Sequence, residues 1–242
     1  SIIESHHEEI AGIFVEPVMR GIASHPGFLE SVQEIASTYK IPLIFDEVIT
    51  GFRLAIGGAQ QYYGITPDLA VFGKAVGSGY PIGILAGKND LMNLLDPATP
   101  DINRVFSIGS FHGNALSTTA ALANLKELAK PGTYAYLNSY GNHLREELSN
   151  VFKKHDIPTK MDGVGSIVDW FHTEDIITDY RSTIRTNLKL KSLIGNTLRK
   201  YDIFAGPGRF TSTTSHGDTE MQMTIDAMDK SLSELKRLGE LN

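Results

Sequence analysis

Four short apolar runs, each followed by a polar or glycine-rich break, constrain this chain more than any other feature. They are Ile10–Val15, closed by Glu16-Pro17; Pro42–Phe45, closed by Asp46-Glu47; Asp68–Phe72, closed by Gly73-Lys74; and Ile82–Ala86. Proline cannot continue a central strand, so the first run must stop at Pro17. Between the first two runs, Phe28, Leu29, Val32, Ile35 and Ala36 recur at helical spacing over Phe28–Lys40. Short continuous apolar runs separated by helices predict buried strands, mostly parallel, in an α/β sheet covered on both faces.

The texture changes in the second half. Asn114–Ala129 is rich in alanine and leucine and reads as a long helix, stopped by Lys130-Pro131-Gly132. Tyr134–His155 reads as a second, with Leu137, Tyr140, Leu144, Leu148, Val151 and Phe152 on one side. Gly165–Phe171 and Phe204–Thr213 read as strands, Thr219–Leu238 as a closing amphipathic helix, and the single Trp170 as core. Residues 1–130 are therefore assigned to a larger α/β domain and 131–242 to a small α+β domain.

Composition removes several chemistries. With no cysteine, the chain has no disulfide, thiolate zinc site, iron–sulfur cluster or cysteine nucleophile. A net charge of −6 argues against a dedicated nucleic-acid binder, which carries a basic face. No apolar run approaches the roughly 18 residues of a membrane span. There is no signal-peptide pattern, and the first residue is Ser1. The expectation is a piece of a soluble, cytoplasmic protein.

In parallel α/β sheets, ligands collect at the carboxyl ends of the strands. Here those ends carry Glu16, Asp46 and Glu47, then Gly73-Lys74. Lys74 lies between an apolar strand and a glycine-rich turn, where a partly desolvated amine would be available as a nucleophile. One reading of Asp46 and Lys74 is a helix cap and its salt-bridge partner. The other is a Schiff-base lysine with a carboxylate partner, as in pyridoxal phosphate enzymes or in Schiff-base aldolases built on barrels. His7-Glu8-Glu9 lacks the second histidine of a zinc motif, and Ser37–Lys40 lacks the companions of an S-x-x-K nucleophile. There is no Walker A or G-x-G-x-x-G fingerprint. Asp46 and Glu47 cannot face one another as a carboxylate couple, because neighbouring strand residues point apart.

Phe45–Lys74 reads FDEVITGFRLAIGGAQQYYGITPDLAVFGK. This closely resembles the class III aminotransferases of pyridoxal phosphate fold type I, and within them the glutamate-1-semialdehyde aminomutase subgroup and its transaminase relatives. The shared pieces, in order, are D-E-V, T-G-F-R, G-G-A-Q, P-D-L and G-K, with FVEPV upstream and GYPIGILAGKNDLM downstream. The likeness covers roughly residues 10–130 strongly and the remainder more loosely. A barrel aldolase is disfavoured, because too few strand–helix units fit and the second half does not continue the alternation.

The resemblance implies a fold type I architecture and a role for each matching residue. Lys74 would form the Schiff base with pyridoxal 5′-phosphate and shuttle the proton between the substrate's alpha carbon and C4′ of the cofactor. Asp46 would pair with the pyridine nitrogen, Val48 would pack on one face of the ring, and Ser110 would bind the cofactor phosphate across a homodimer interface. Glu16 and Arg53 match structural positions, and Asn114 would anchor the following helix. The reaction implied is amino transfer between a small-molecule donor and a carbonyl acceptor. There are three departures. The family's N-terminal half, with its phosphate-cradling loop and ring-stacking aromatic, has no counterpart in these residues. The stretch Ala205–Phe210 holds no acid where the aminomutase has a glutamate, and Asn103–Ile108 differs from the aminomutase pattern. The last two favour a transaminase over the mutase, and the first leaves open a chain that keeps the fold without the activity. Arg209 is a candidate for a substrate carboxylate.

Overall fold

The structure is a computed structural model that describes residues 2–19, 21–100, 102–206 and 208–241. The chain divides into two compact units: Ser1–Val18 with Ser24–Pro131, and Met19–Ala23 with Gly132–Asn242.

The first unit is built on a sheet of β1 (Ile13–Val15), β2 (Leu43–Glu47), β3 (Leu69–Phe72) and β4 (Ile84–Gly87), in that order. The pairs β1–β2 and β2–β3 are parallel, with Val15 opposite Phe45 and Asp46 opposite Val71. The last pair is antiparallel, with Phe72 opposite Ile84. Helix α1 (Phe28–Tyr39) connects β1 to β2, and α2 (Gly58–Tyr63) lies between β2 and β3. Leu29 and Ala36 of α1 pack with Leu43, Phe45, Ile65, Ala70 and Phe72.

Cover on both faces was expected, and the structure corrects this. Along β2 burial alternates: Leu43, Phe45 and Glu47 are buried, while Ile44 and Asp46 are only half-buried. The register carries that alternation across the sheet, pairing Phe14 with Ile44 and Val71 with Leu85. On this second face Phe14 is 59% and Leu85 43% exposed. An unbroken apolar run records that both faces of a strand avoid water. It does not say which residues do the covering, and here α1 serves one face.

The second unit has a three-stranded antiparallel sheet of β5 (Lys160–Asp162), β6 (Ile167–Phe171) and β7 (Arg209–Thr211), with β6 in the centre. Its helices are α4 (Thr133–Lys154), α5 (Leu188–Leu198) and α6 (Asp218–Arg237). Leu148, Phe152, Trp170, Ile194, Leu198, Met228 and Leu232 form the centre of its core, all at or below 1% exposure. The expected strand Phe204–Thr213 shrinks to Arg209–Thr211: Phe204 and Ala205 lie outside any strand, and the chain bends at Gly206 and Gly208. Sequence reading missed α5, although Leu190, Leu193, Ile194 and Leu198 have helical spacing.

Two titratable side chains mark this second core. Lys191 Nζ pairs with the Asp169 carboxylate at 2.5 Å and lies 4.4 Å from the Phe171 ring centre. Burial lowers the Lys191 pKa against the pull of Asp169. His172 is buried with Nδ1 3.0 Å from the Thr159 hydroxyl, and burial followed by the Lys191 charge pushes its pKa down to about 4. Among the described residues, no helix is long and apolar enough to cross a membrane.

Candidate active site

The carboxyl edge of the first sheet gathers the predicted residues by register alone. Asp46 is the penultimate residue of β2 and sits opposite Val71 of the neighbouring parallel strand. Lys74 follows β3 by two residues, so both groups leave adjacent strands at the same end. Asp46 belongs to the face that carries Phe14, Ile44 and Leu85, away from the packed core. Its Oδ1 accepts the Val48 amide at 3.0 Å. Asp46 caps no α-helix, and among the described residues no ion pair joins it to Lys74, so the cap-and-partner reading does not describe them.

Lys74 opens a 3₁₀ turn, Lys74–Gly77, with a left-handed φ of 49°. An L residue is strained there, a feature that clusters at working sites. Its side chain is exposed, which corrects the expectation that the amine is desolvated by this chain. Gly73 before it is buried, and a Cβ there would lie 3.6 Å from Val48 Cγ1. The half-buried Val48 side chain therefore borders the turn that presents the lysine.

A residue absent from the sequence reading holds that turn. Asn124 of helix α3 (Ala115–Leu128) donates from Nδ2 to the carbonyls of Ala75 at 2.7 Å and Val76 at 3.3 Å. The signal was a lone asparagine within an alanine–leucine helix, half-buried where apolar neighbours predominate. Asn114 caps the same helix as expected, its Oδ1 accepting the amides of Leu116 and Ser117, each at 3.1 Å. Ser110 lies four positions ahead of that cap, in an exposed loop. The loop continues into Phe111–Asn114, which with β4 and α3 lines a cavity of about 1070 Å³. Thus α3 links the Ser110 loop at one end to the lysine turn further along.

The remaining candidates have other roles. Glu16 is exposed just past β1, and Arg53 Nε donates to the Ile49 carbonyl at 3.3 Å. Asp68 of the P-D-L piece works at the opposite end of the sheet. It accepts the Leu43 amide at 2.7 Å and pairs with Lys88 at 2.5 Å. Burial opposes the Asp68 charge, but these partners hold its pKa below the usual carboxylate value. Arg209 begins β7 in the second unit, opposite Asp169. Pro207, within the departing Ala205–Phe210 stretch, is outside the described residues. The His7–Glu9 segment takes part in no metal-ligating cluster among the described residues.

The parallel-dominated sheet thus presents a lysine and a carboxylate from the ends of adjacent strands. Residues 1–194 match the class III aminotransferase family, and the chain belongs to it. Glutamate-1-semialdehyde 2,1-aminomutase 1 of Staphylococcus epidermidis is 35% identical over 238 residues, 96% of this chain and 55% of that protein. Glutamate-1-semialdehyde 2,1-aminomutase 2 of Staphylococcus haemolyticus matches to the same extent. Among solved structures, an omega-transaminase from Sphaerobacter thermophilus superposes with a TM-score of 0.90 at 29% identity, covering 97% of this chain and 54% of that one. A β-phenylalanine aminotransferase from Variovorax paradoxus gives 0.88 at 28% identity, covering 98% and 55%. The chain thus spans about half the length of the relatives it matches.

Proposed function

We propose that this chain carries the lysine-bearing part of a pyridoxal 5′-phosphate-dependent class III aminotransferase, which moves an amino group from a small-molecule donor to a carbonyl acceptor. On this reading residues 1–130 are the C-terminal part of the cofactor-binding domain and residues 131–242 the small domain. The observation that carries it is the register of β2 and β3, with Asp46 and Lys74 leaving adjacent parallel strands at one edge and Asp46 on the uncovered face.

The residues present suit the cofactor. A primary amine, a carboxylate and an apolar side chain border one turn, and Gly73 leaves open the space beside Val48 that a Cβ would occupy. When bound, pyridoxal phosphate supplies an electron sink for the charge left at the substrate's alpha carbon. Lys74 would hold the cofactor through its amine and would move the proton at the substrate's alpha carbon. Asp46 keeps the pyridine nitrogen protonated by a charge-assisted hydrogen bond. Val48 holds the plane of the ring, and the Ser110 hydroxyl binds the phosphate of a second copy's site. A homodimer is the assembly this requires.

The first test is the visible absorbance of bound pyridoxal phosphate. The full natural polypeptide carrying these residues binds tightly, Lys74→Ala abolishes the protein-linked band, and the 242-residue chain alone binds weakly or not at all. A band that survives Lys74→Ala refutes the assignment. A second reading, the aminomutase, is favoured by the 35% identity to proteins of that name. The Ala205–Phe210 stretch, with no acid, favours the transaminase. A mutase isomerises glutamate-1-semialdehyde with no separate acceptor, whereas a transaminase requires one. Isomerisation without an acceptor overturns the transaminase reading.

A further inference from the structure

Thr50 of the T-G-F-R piece and Gly58, Ala59 and Gln60 of the G-G-A-Q piece converge on one buried side chain, and it is not Asp46. Glu47 is 0% exposed and projects into the core face of β2. Its Oε2 accepts the Thr50 hydroxyl at 3.0 Å and the Ala59 amide at 2.5 Å. Its Oε1 accepts the Gln60 amide at 3.2 Å and the Gln60 side-chain amide at 3.0 Å. Its carbonyl accepts the Gly51 amide at 2.8 Å. At Gly58 the φ is +70°, and a Cβ would fall 2.3 Å from Oε2, so the backbone can pass this carboxylate only as glycine. The stretch 48–60 is thus folded back onto Glu47. Its first residue is Val48, whose amide orients the Asp46 carboxylate at 3.0 Å and whose side chain borders the lysine turn.

We infer that Glu47 is a positioning residue for the cofactor: by anchoring 48–60 on the core side of β2, it fixes Val48, and through Val48 the direction of the Asp46 carboxylate on the other side. Adjacent residues of one strand divide the work, one gripping the loop and the other meeting the ligand. A glutamine at position 47 would turn its NH₂ toward the backbone N–H of Ala59 or of Gln60, which can only donate, so a buried donor is left unpaired and the loop is released. The inference rests on the proposed role of Asp46, and its test separates the two.

The test follows the pH dependence of the cofactor's visible absorbance in the loaded full natural polypeptide, together with amide hydrogen exchange over 48–60. Asp46→Asn is the reference and shifts the pH midpoint of the band. Glu47→Gln, with Asp46 intact, shifts the midpoint in the same direction. It also weakens cofactor affinity about tenfold or more, since small displacements of a site group have large effects. Exchange at the Val48 amide rises, while far-ultraviolet circular dichroism stays unchanged. Thr50→Val removes one donor and produces the same changes at about two- to fivefold in affinity, below the full worth of one hydrogen bond to a carboxylate. That variant decides the matter if Glu47→Gln does not fold. An unchanged midpoint and affinity in folded Glu47→Gln, or in Thr50→Val in its place, overturns the inference while Asp46→Asn still shifts the band. If Asp46→Asn leaves the midpoint unmoved, the role of Asp46 falls and this inference falls with it.

Discussion

The two units invert one another. The first holds nearly every motif residue, yet leaves Phe14, Leu85, Phe106, Phe111, Leu116 and Leu122 between 43% and 76% exposed. The second holds few motif residues and buries Trp170, Phe152, Ile194 and Met228 to 1% exposure or less. Apolar surface left in water adds little to the stability of the chain that carries it, and large patches of it mark surfaces made for other polypeptide. The second unit is therefore built round one closed core, with Ile176, Tyr180 and Phe204 still 54–80% exposed, whereas the first is a site frame with one finished face. Substitutions at comparable aromatic residues should have very different consequences in the two.

The largest effect is expected at Trp170. Its ring lies 5.3 Å from that of Phe210 and 6.2 Å from that of Phe152 at full burial, with Lys191 Nζ over its face at 5.5 Å. Trp170→Ala should destabilise the second unit by about 3–5 kcal/mol, read as loss of hydrogen-exchange protection across β6 and α4. Protection unchanged there would mean that this core is not what holds the unit together.

A pH effect comes next. The folded pKa of His172 is pushed down to about 4, below the ordinary 6.5, by burial and then by the Lys191 charge. Between those values the unfolded chain binds a proton that the folded one refuses. Stability is therefore full above about pH 6.5 and falls as pH drops toward 4, by at most about 3 kcal/mol. Trp170 is the only tryptophan, so its fluorescence reports the second unit alone. The urea midpoint of that signal should fall between pH 7 and pH 4.5, and His172→Asn should remove much of the fall. An equal fall in the variant assigns the effect to other groups.

The first unit answers to backbone rather than to burial. Gly58→Ala forces a Cβ against Glu47 Oε2 at a left-handed φ. The expected cost is about 1–3 kcal/mol, confined to exchange over 47–63 and absent from Trp170 fluorescence.

These differences also show what the sequence could and could not disclose. Asp46, Glu47 and Lys74 were visible as polar ends of apolar runs, and period-two geometry alone turns Asp46 and Glu47 to opposite faces. The resemblance gave Asn114 as the anchor of the following helix, and the structure shows it as the cap, which is local chemistry. Asn124 was not, because its partners, Ala75 and Val76, are remote in sequence and only the packed structure brings them together. Nor was the role of Gly58 legible, since its constraint is the Glu47 side chain arriving from the preceding strand. Likewise, β5 and β7 are each three residues long, too short to impose a period of their own.

The smallest effect is the sharpest test of the contrast. Phe14 faces outward from an edge strand at 59% exposure, and Leu85 does so from the other edge at 43%. Phe14 keeps more than half, and Leu85 nearly half, of its surface in water in the folded chain, so replacing either with serine forfeits less burial than a core substitution does. Phe14→Ser and Leu85→Ser should each change the stability of this chain by no more than about 0.5 kcal/mol, judged by exchange of the Phe45 and Ala70 amides. The same substitutions should be costly in the full natural polypeptide, where the proposed assembly covers this face. If Phe14→Ser costs this chain about 2 kcal/mol or more, the value for a buried large side chain, then its own residues already cover the face. The contrast between an open and a closed unit would then fail, and with it the argument that the Asp46 face is kept free for something else.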